Sequence, residues 1–277
     1  EPYGTISEIN NSQLPPGSEM QSIRLHIVRS LKMCMRVFLF LGVCMVQANR
    51  IFRYFSKTEL ALWGFSVLSV SLSFYLFDKE SYLTLIASLI GVTSLIFNAK
   101  GNPVGQILMV VFSLLYGIIS FSFSYYGEMV TYLGMTLPMS VFALISWLKN
   151  PYSKSTCEVK VNMIGRVEIR FMWILTAVIT VLFYFILRFF GTANLIPSTL
   201  SIATSFLAAY LTFRRSPLFA LAYAANDAVL FILWFLACLA DRRYGSVFVC
   251  FAVFLANDIY GYISWQKMKK RQLAGSL

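Results

Sequence analysis

Apolar positions in this chain come in long unbroken runs, not in the alternating or three-and-four spacing of half-buried soluble elements. Crossing about 30 Å of hydrocarbon at about 1.5 Å per residue takes roughly 20 mostly apolar residues. Eight stretches approach or meet that length: Leu60–Phe77, Tyr82–Phe97, Pro103–Ser124, Glu128–Leu148, Ile169–Phe190, Leu195–Phe213, Leu218–Ala240 and Ser246–Trp265. A barrel strand would alternate apolar and polar residues, and an open strand would leave backbone amides unpaired in lipid, so the runs predict helices. The fold class expected is an all-α integral membrane protein of about eight transmembrane helices.

The segment Ile23–Phe55 departs from this pattern. Its apolar core, Val37 to Val46, is short for a span and is flanked by Arg24, Arg29, Lys32, Arg36, Arg50 and Arg53. That arrangement fits an amphipathic helix lying in the cytoplasmic interface. A ninth span over residues 31–48 stays open, and the ending Val46-Gln47-Ala48 shares features with a signal peptide. Ahead of it, Asn10-Asn11-Ser12 and Pro15-Pro16-Gly17 mark a polar stretch with too little apolar content to pack.

Composition agrees with a lipid solvent: 58% of the 277 residues are hydrophobic and 13% are charged. The net charge of +11 could point to nucleic acid, but its distribution follows topology instead. With both termini in the cytoplasm, 19 of the 23 Lys and Arg fall on the cytoplasmic side, and only Lys79, Arg188, Arg242 and Arg243 face out. This is the positive-inside asymmetry, so anionic inner-leaflet lipids are the expected partners of the charge, and no nucleic acid is expected. The location expected is a bacterial-type cytoplasmic membrane. The five cysteines form no CxxC pair and read as free buried thiols, and the one histidine, His26, has no companion at ligand spacing. No metal or cofactor is implied.

The chain also repeats itself. Tyr126-Gly127 is separated by 17 residues from Ile145-Ser146-Trp147, and Tyr244-Gly245 by 17 from Ile263-Ser264-Trp265. Ile86-Ala87-Ser88 matches Ile202-Ala203-Thr204 at an offset of 116 instead of 118. Three-helix units over 82–149 and 195–266 follow, joined by a basic linker and linking helix over 150–192. The odd helix between them restores direction, so the repeats are parallel in a 3+1+3 core. An extra helix over 60–78 precedes the core, residues 1–59 form the cytoplasmic N-terminal segment, and 267–277 form a basic cytoplasmic tail. Repeats related in this way are common in transporters, with the solute site between the halves.

Polar residues inside the runs mark where such a site would lie. Asn226-Asp227 and Asn257-Asp258 place two carboxyls at lipid depth, where a charge costs about 2.5–3.5 kcal/mol on insertion scales. At helical spacing, Tyr223 flanks both Asn226 and Asp227, Trp234 shares the Asp227 face, and Tyr260 neighbours Asn257. Gln106, Tyr116 and Thr131 add polar groups from spans three and four. An aromatic ring beside an amide suits a flat heterocycle bearing hydroxyls. Pro138 should kink span four, and its repeat partner Ala256 suggests that both units are disturbed at one level. Neither a phosphate-binding GxxxxGK[ST] nor an HExxH is present, which argues against primary active transport and against an enzyme.

The segments LIASLIGVTSLIFNAKGN (85–102), YYGEMVTYLGMTLPM (125–139), FRRSP (213–217), AYAANDAVLFILW (222–234) and NDIYGYISW (257–265) together resemble the PnuC family of vitamin and nucleoside transporters. The resemblance implies a doubled SWEET-like fold, facilitated diffusion of nicotinamide riboside or a related vitamin or nucleoside, and trapping by a separate cytoplasmic kinase. Members that take nicotinamide riboside carry WxxWxxxN on the helix matching span seven. Here Phe219 and Ala222 replace the tryptophans, and Asn226 is kept. Thiamine, riboflavin and deoxynucleosides stay open as solutes, as do proton-coupled uptake through Asp227 and Asp258 and a homo-oligomeric state. From other classes, a membrane-embedded aspartyl protease lacks its YD and GxGD settings, and a receptor would bind without flux.

Overall fold

The computed structural model describes residues 54–78, 82–122, 126–153, 157–192, 195–240 and 242–275. The interfacial helix expected over Ile23–Phe55 and His26 therefore fall outside the described residues, apart from Tyr54 and Phe55. Within them, eight helices are long and apolar enough to cross a membrane. They are α1 (Lys57–Phe77), α2 (Tyr82–Ala99), α3 (Val104–Ser122), α4 (Tyr126–Lys149), α5 (Arg166–Phe189), α6 (Leu195–Phe213), α7 (Phe219–Ala240) and α8 (Gly245–Ala274). The last is longer than its apolar run, because Lys267 to Arg271 continue the helix beyond the hydrophobic part. Apolar side chains remain outside: Phe171, Ile174, Val178 and Phe185 on α5 are all more than half exposed, as lipid-facing positions should be.

Local chemistry sets the ends. Ser56 and Glu59 close a reciprocal capping box at the start of α1. Helices α2 and α6 both terminate in the paired hydrogen bonds of a Schellman motif, with Gly101 (φ 64°) and Arg215 (φ 56°) in the left-handed position. Proline follows two residues later in each case, and the residue before it, Asn102 or Ser216, bonds its side-chain oxygen to the backbone N–H of Val104 or Leu218. In α4, Pro138 has no N–H to donate and its ring crowds the preceding turn. The backbone responds with a π turn over Tyr132–Thr136, in which the Leu137 N–H donates five residues back to the Tyr132 carbonyl. Helix α8 is unbroken at Ala256, which keeps its N–H, so the expectation that both repeats are disturbed at one level is corrected: only α4 is.

Six helices close a ring in which each packs on two neighbours, in the order α2, α3, α4, α6, α7, α8. Helix α1 lies against α2 and α8, and α5 lies against α6 and the first turns of α4. Exchanging α1–α4 with α5–α8 leaves this pattern of neighbours unchanged. The polar contacts obey the same exchange. Trp147 on α4 donates its indole N–H to the Thr212 carbonyl on α6 at 2.9 Å, and Trp265 on α8 donates to the Asn98 carbonyl on α2 at 2.8 Å. Lys100 pairs with Glu59, and Arg214 pairs with Glu168; each glutamate is the third residue of its helix. The linking helix is thus the counterpart of the front helix, a relation the sequence repeat did not reveal.

This equivalence corrects the register read for the first helices of the repeats. Asn98 matches Thr212 and Gly101 matches Arg215, an offset of 114 and not 116. Burial agrees, since Ile86 and Leu200 are 50% and 52% exposed whereas Ile202 is 2% exposed. The IAS and IAT triplets coincide in letters but face opposite ways. A second correction concerns the cysteines. Cys157 is disulfide-bonded, while Cys238 and Cys250 are free thiols as expected.

Residues 150–153 and 157–162 form a strap across the end of the bundle that carries Lys100, Lys149 and Arg214, hereafter the basic end. Its Val159 N–H donates to the Gly101 carbonyl and its Asn162 N–H to the Arg215 carbonyl, so it is tied to matching loops of both halves. Gln272 on the α8 extension accepts from the Val161 N–H and donates to Glu158 and the Val159 carbonyl, and Arg271 pairs with Glu158.

Candidate functional site

Two structural layers lie between the halves. The first is a plug of aromatic rings at the basic end. Trp147 and Trp265, both fully buried, meet with ring centroids 5.5 Å apart, and Phe219 stands edge-on to Trp265 at 4.7 Å. The buried Val159 of the strap and Met268 of α8 belong to the same apolar cluster. Phe219, which occupies the first tryptophan position of the family pattern, therefore packs into this plug. Gln106 lies nearby in a buried polar chain: its amide donates to Asn98, and the Asn98 amide donates to Ser94. Tyr260 is also near this end, donating its hydroxyl to Glu59.

The second layer holds the buried polar cluster. Asp227 lies about 12 Å along α7 from Phe219, at about 1.5 Å per residue. Asn226, Asp227, Asn257 and Asp258 are 5%, 4%, 2% and 5% exposed. The Asn226 carbonyl accepts hydrogen bonds from the hydroxyls of Thr204 at 2.8 Å and Ser205 at 2.9 Å. That occupies its acceptor side and leaves the NH2 group as the free donor, a division the sequence could not supply. The carboxyls of Asp227 and Asp258 lie side by side, and Oδ2 of Asp227 has no hydrogen-bond partner. Asn257 points instead toward α1, donating to Ser66 and to the Val253 carbonyl, with its own Oδ1 unpartnered.

Across from this cluster the other half contributes aromatics. Tyr116 on α3 shares a hydrogen bond with Ser88 on α2, and its ring lies 5.2 Å from that of Tyr132 in the π turn. Tyr132 is within electrostatic range of Asp227, which brings residues of the two halves together, and Tyr223 is in range of both aspartates. Tyr132, Ser88 and Ser205 were not singled out from the sequence; the nearest signal was Pro138, whose π turn carries Tyr132. Two other candidates lie apart. Thr131 bonds its hydroxyl to the Gly127 carbonyl within α4, and Trp234 sits toward the opposite end, 5.6 Å from Tyr244 and parallel to Phe251. Among the described residues, no group of three or more His, Cys, Asp or Glu side chains is placed to hold a metal ion.

The arrangement can thus offer tyrosine rings, donate an amide hydrogen bond, and offer a carboxyl oxygen. Comparison with known proteins narrows what such a site serves. The sequence profile of the family described as "Nicotinamide mononucleotide transporter" matches residues 81–267. The chain is 23% identical over 216 residues to the nicotinamide riboside transporter PnuC of Neisseria mucosa, covering 76% of this chain and 82% of that one. It is 22% identical over 201 residues to the same-named protein of Haemophilus influenzae, covering 71% and 84%. A crystal structure of the vitamin B3 transporter PnuC has the same fold, with a TM-score of 0.67 over 79% of this chain and 94% of that one, at 21% identity.

Proposed function

The chain belongs to the nicotinamide mononucleotide transporter family, and from that premise we propose that it carries nicotinamide riboside, or a closely related vitamin or nucleoside, across the membrane by facilitated diffusion. The observation that supports this reading most is the buried Asn226–Asp227 pair, with Asp227 in electrostatic range of Tyr132 of the other half. A solute bound there would be separated from the basic end by the Trp147–Trp265–Phe219 plug. Release then requires the halves to part at that end, which breaks two matched indole hydrogen bonds, each worth about 1 kcal/mol net, together with bonds that tie residues 157–162 to both halves. Movement down the solute's own gradient needs no ion or nucleotide to drive it. Net uptake comes from trapping by a cytoplasmic kinase, and the basic end with both termini faces the cytoplasm. The binding residues are Asn226, Asp227, Tyr223, Asp258 and Tyr116, with Tyr132 added; Gln106, Asn257 and Tyr260 support the surrounding helices.

The adjacent carboxyls favour one second reading, proton-coupled uptake. Reconstituted vesicles separate the two. Uptake of labelled nicotinamide riboside should run down its own gradient, be unaffected by collapse of a proton gradient, and compete with any related solute the site accepts. Uptake that stops when the proton gradient is removed would replace diffusion by coupling, and absence of uptake would overturn the solute assignment.

A further inference from the structure

We propose that Asp227 and Asp258 act as a counter-ion for a fixed positive charge on the solute, so that the site selects quaternary nitrogen heterocycles such as pyridinium or thiazolium over neutral nucleosides. This inference rests on the transport reading above and specifies the chemistry of the same site.

The two carboxyls lie together on α7 and α8 at 4% and 5% exposure, yet no basic side chain among the described residues pairs with either. Glu59 with Lys100, Glu168 with Arg214 and Glu158 with Arg271, ion pairs among the described residues, are at the basic end. Two carboxyls in contact cannot both ionise, but a cation placed beside them favours loss of one proton, and the pair then carries one negative charge. A buried charge without a partner is unfavourable, and buried polar atoms left unsatisfied are rare. Oδ2 of Asp227 is such an atom. A free donor is close by on Asn226, but it is attached to the next residue of the same helix and already anchored by Thr204 and Ser205. Among the described residues that partner is missing, and a bound solute can supply it.

A cation with a flat, delocalised charge suits the aromatic neighbours of the pair. Tyr132 and Tyr223 lie within electrostatic range of the carboxyls, and aromatic faces attract such cations. A compact ammonium would keep its water, whereas a ring cation is weakly hydrated and gives up little on entry. The requirement is reciprocal. A permanently charged solute needs a compensating charge inside hydrocarbon, and the aspartate pair needs a cation to complete it.

Nicotinamide riboside and its 1,4-dihydro form provide the test, since they differ by one hydride and hence by one positive charge at nearly constant shape. Titration calorimetry on the purified full-length protein should give binding of nicotinamide riboside at least about 30-fold tighter than the dihydro form. Replacing both Asp227→Asn and Asp258→Asn should weaken nicotinamide riboside by a similar factor and bring the affinities of the two forms to within about 3-fold of each other. The comparison on the parent protein needs no variant, so a poorly folding double variant does not spare the proposal. Equal binding of both forms overturns the counter-ion and leaves the transport reading intact. Binding of neither overturns both, unless thiamine binds with the same dependence on the aspartates, which upholds the counter-ion and replaces the solute. Loss of affinity when sodium is exchanged for N-methylglucamine identifies an inorganic cation as the partner and overturns the proposal.

Discussion

At the level of single residues, Asn226 has a divided role. Its carbonyl is held by Thr204 and Ser205, so the NH2 group is aimed and available. Asn226→Leu should preserve folding, because the Thr204 hydroxyl also reaches the Leu200 and Ser201 carbonyls. Losing the donor should cost about 1–3 kcal/mol, or roughly 5- to 150-fold in affinity, by calorimetry with nicotinamide riboside. Unchanged affinity would place the site elsewhere. The positions Gly101 and Arg215 are equivalent, yet they solve one backbone demand differently. Gly101 has no Cβ to strain at φ 64°, and a Cβ there would meet Met268 and Val159 at 3.0 and 3.3 Å. Arg215 adopts φ 56° and is held by hydrogen bonds from its guanidinium to Ser146 and the Lys160 carbonyl. Gly101→Ala should therefore destabilise by about 1–2 kcal/mol, read as a lower melting temperature in detergent. The sequence showed Asn226 and both Asn-Asp pairs because polar letters stand out in apolar runs. It did not show Tyr132 or Ser88, since aromatic and small residues are common in every span and their contacts are made only in tertiary structure.

The helices themselves were legible to within a few residues at most ends, because lipid imposes length and hydrophobicity directly. Which side of each helix faces its neighbours was not, since lipid-facing and core-facing positions are both apolar and periodicity carries little information. That is why two identical-looking triplets gave a register two residues wrong, and why α1 and α5 were not matched. The IS-W repeat was visible, but its meaning required the structure: each tryptophan belongs to the fourth helix of one half and bonds the second helix of the other. Trp147→Phe and Trp265→Phe keep a ring in the plug and remove one interhalf hydrogen bond each. Each should favour opening of the basic end by about 1 kcal/mol, roughly a fivefold population change, and the double variant by about twice that energy. Spin labels at positions 149 and 267 would report it as growth of a longer distance; no change in either single variant would remove the plug from the mechanism. Close packing between α2 and α3 offers a second test. A Cβ on Gly105 would meet Asn98 Oδ1 at 2.2 Å and the Asn98 backbone nitrogen at 2.8 Å. Gly105→Ala should thus separate the two helices and cost about 1–3 kcal/mol, detected as a lowered melting temperature.

For the molecule as a whole, the charge asymmetry read along the sequence becomes spatial: the ion pairs of Glu59, Glu158 and Glu168 and the basic α8 extension all lie at one end. An impermeant thiol reagent added outside intact cells should modify cysteines placed at positions 79 and 242 and not at 154 or 271, and modification at 154 would reverse the orientation. The strap formed by residues 150–153 and 157–162 has a kinetic meaning of its own. It is bonded to Gly101 in one half, Arg215 in the other and Gln272 on α8, so it must let go before the halves part at that end. None of those three groups belongs to the binding cluster. If release of the strap is the slow step, the turnover number is a property of the protein and not of its cargo: two solutes of very different affinity should share one maximal rate and differ in half-saturating concentration, and Gln272→Ala should raise that common maximum for both.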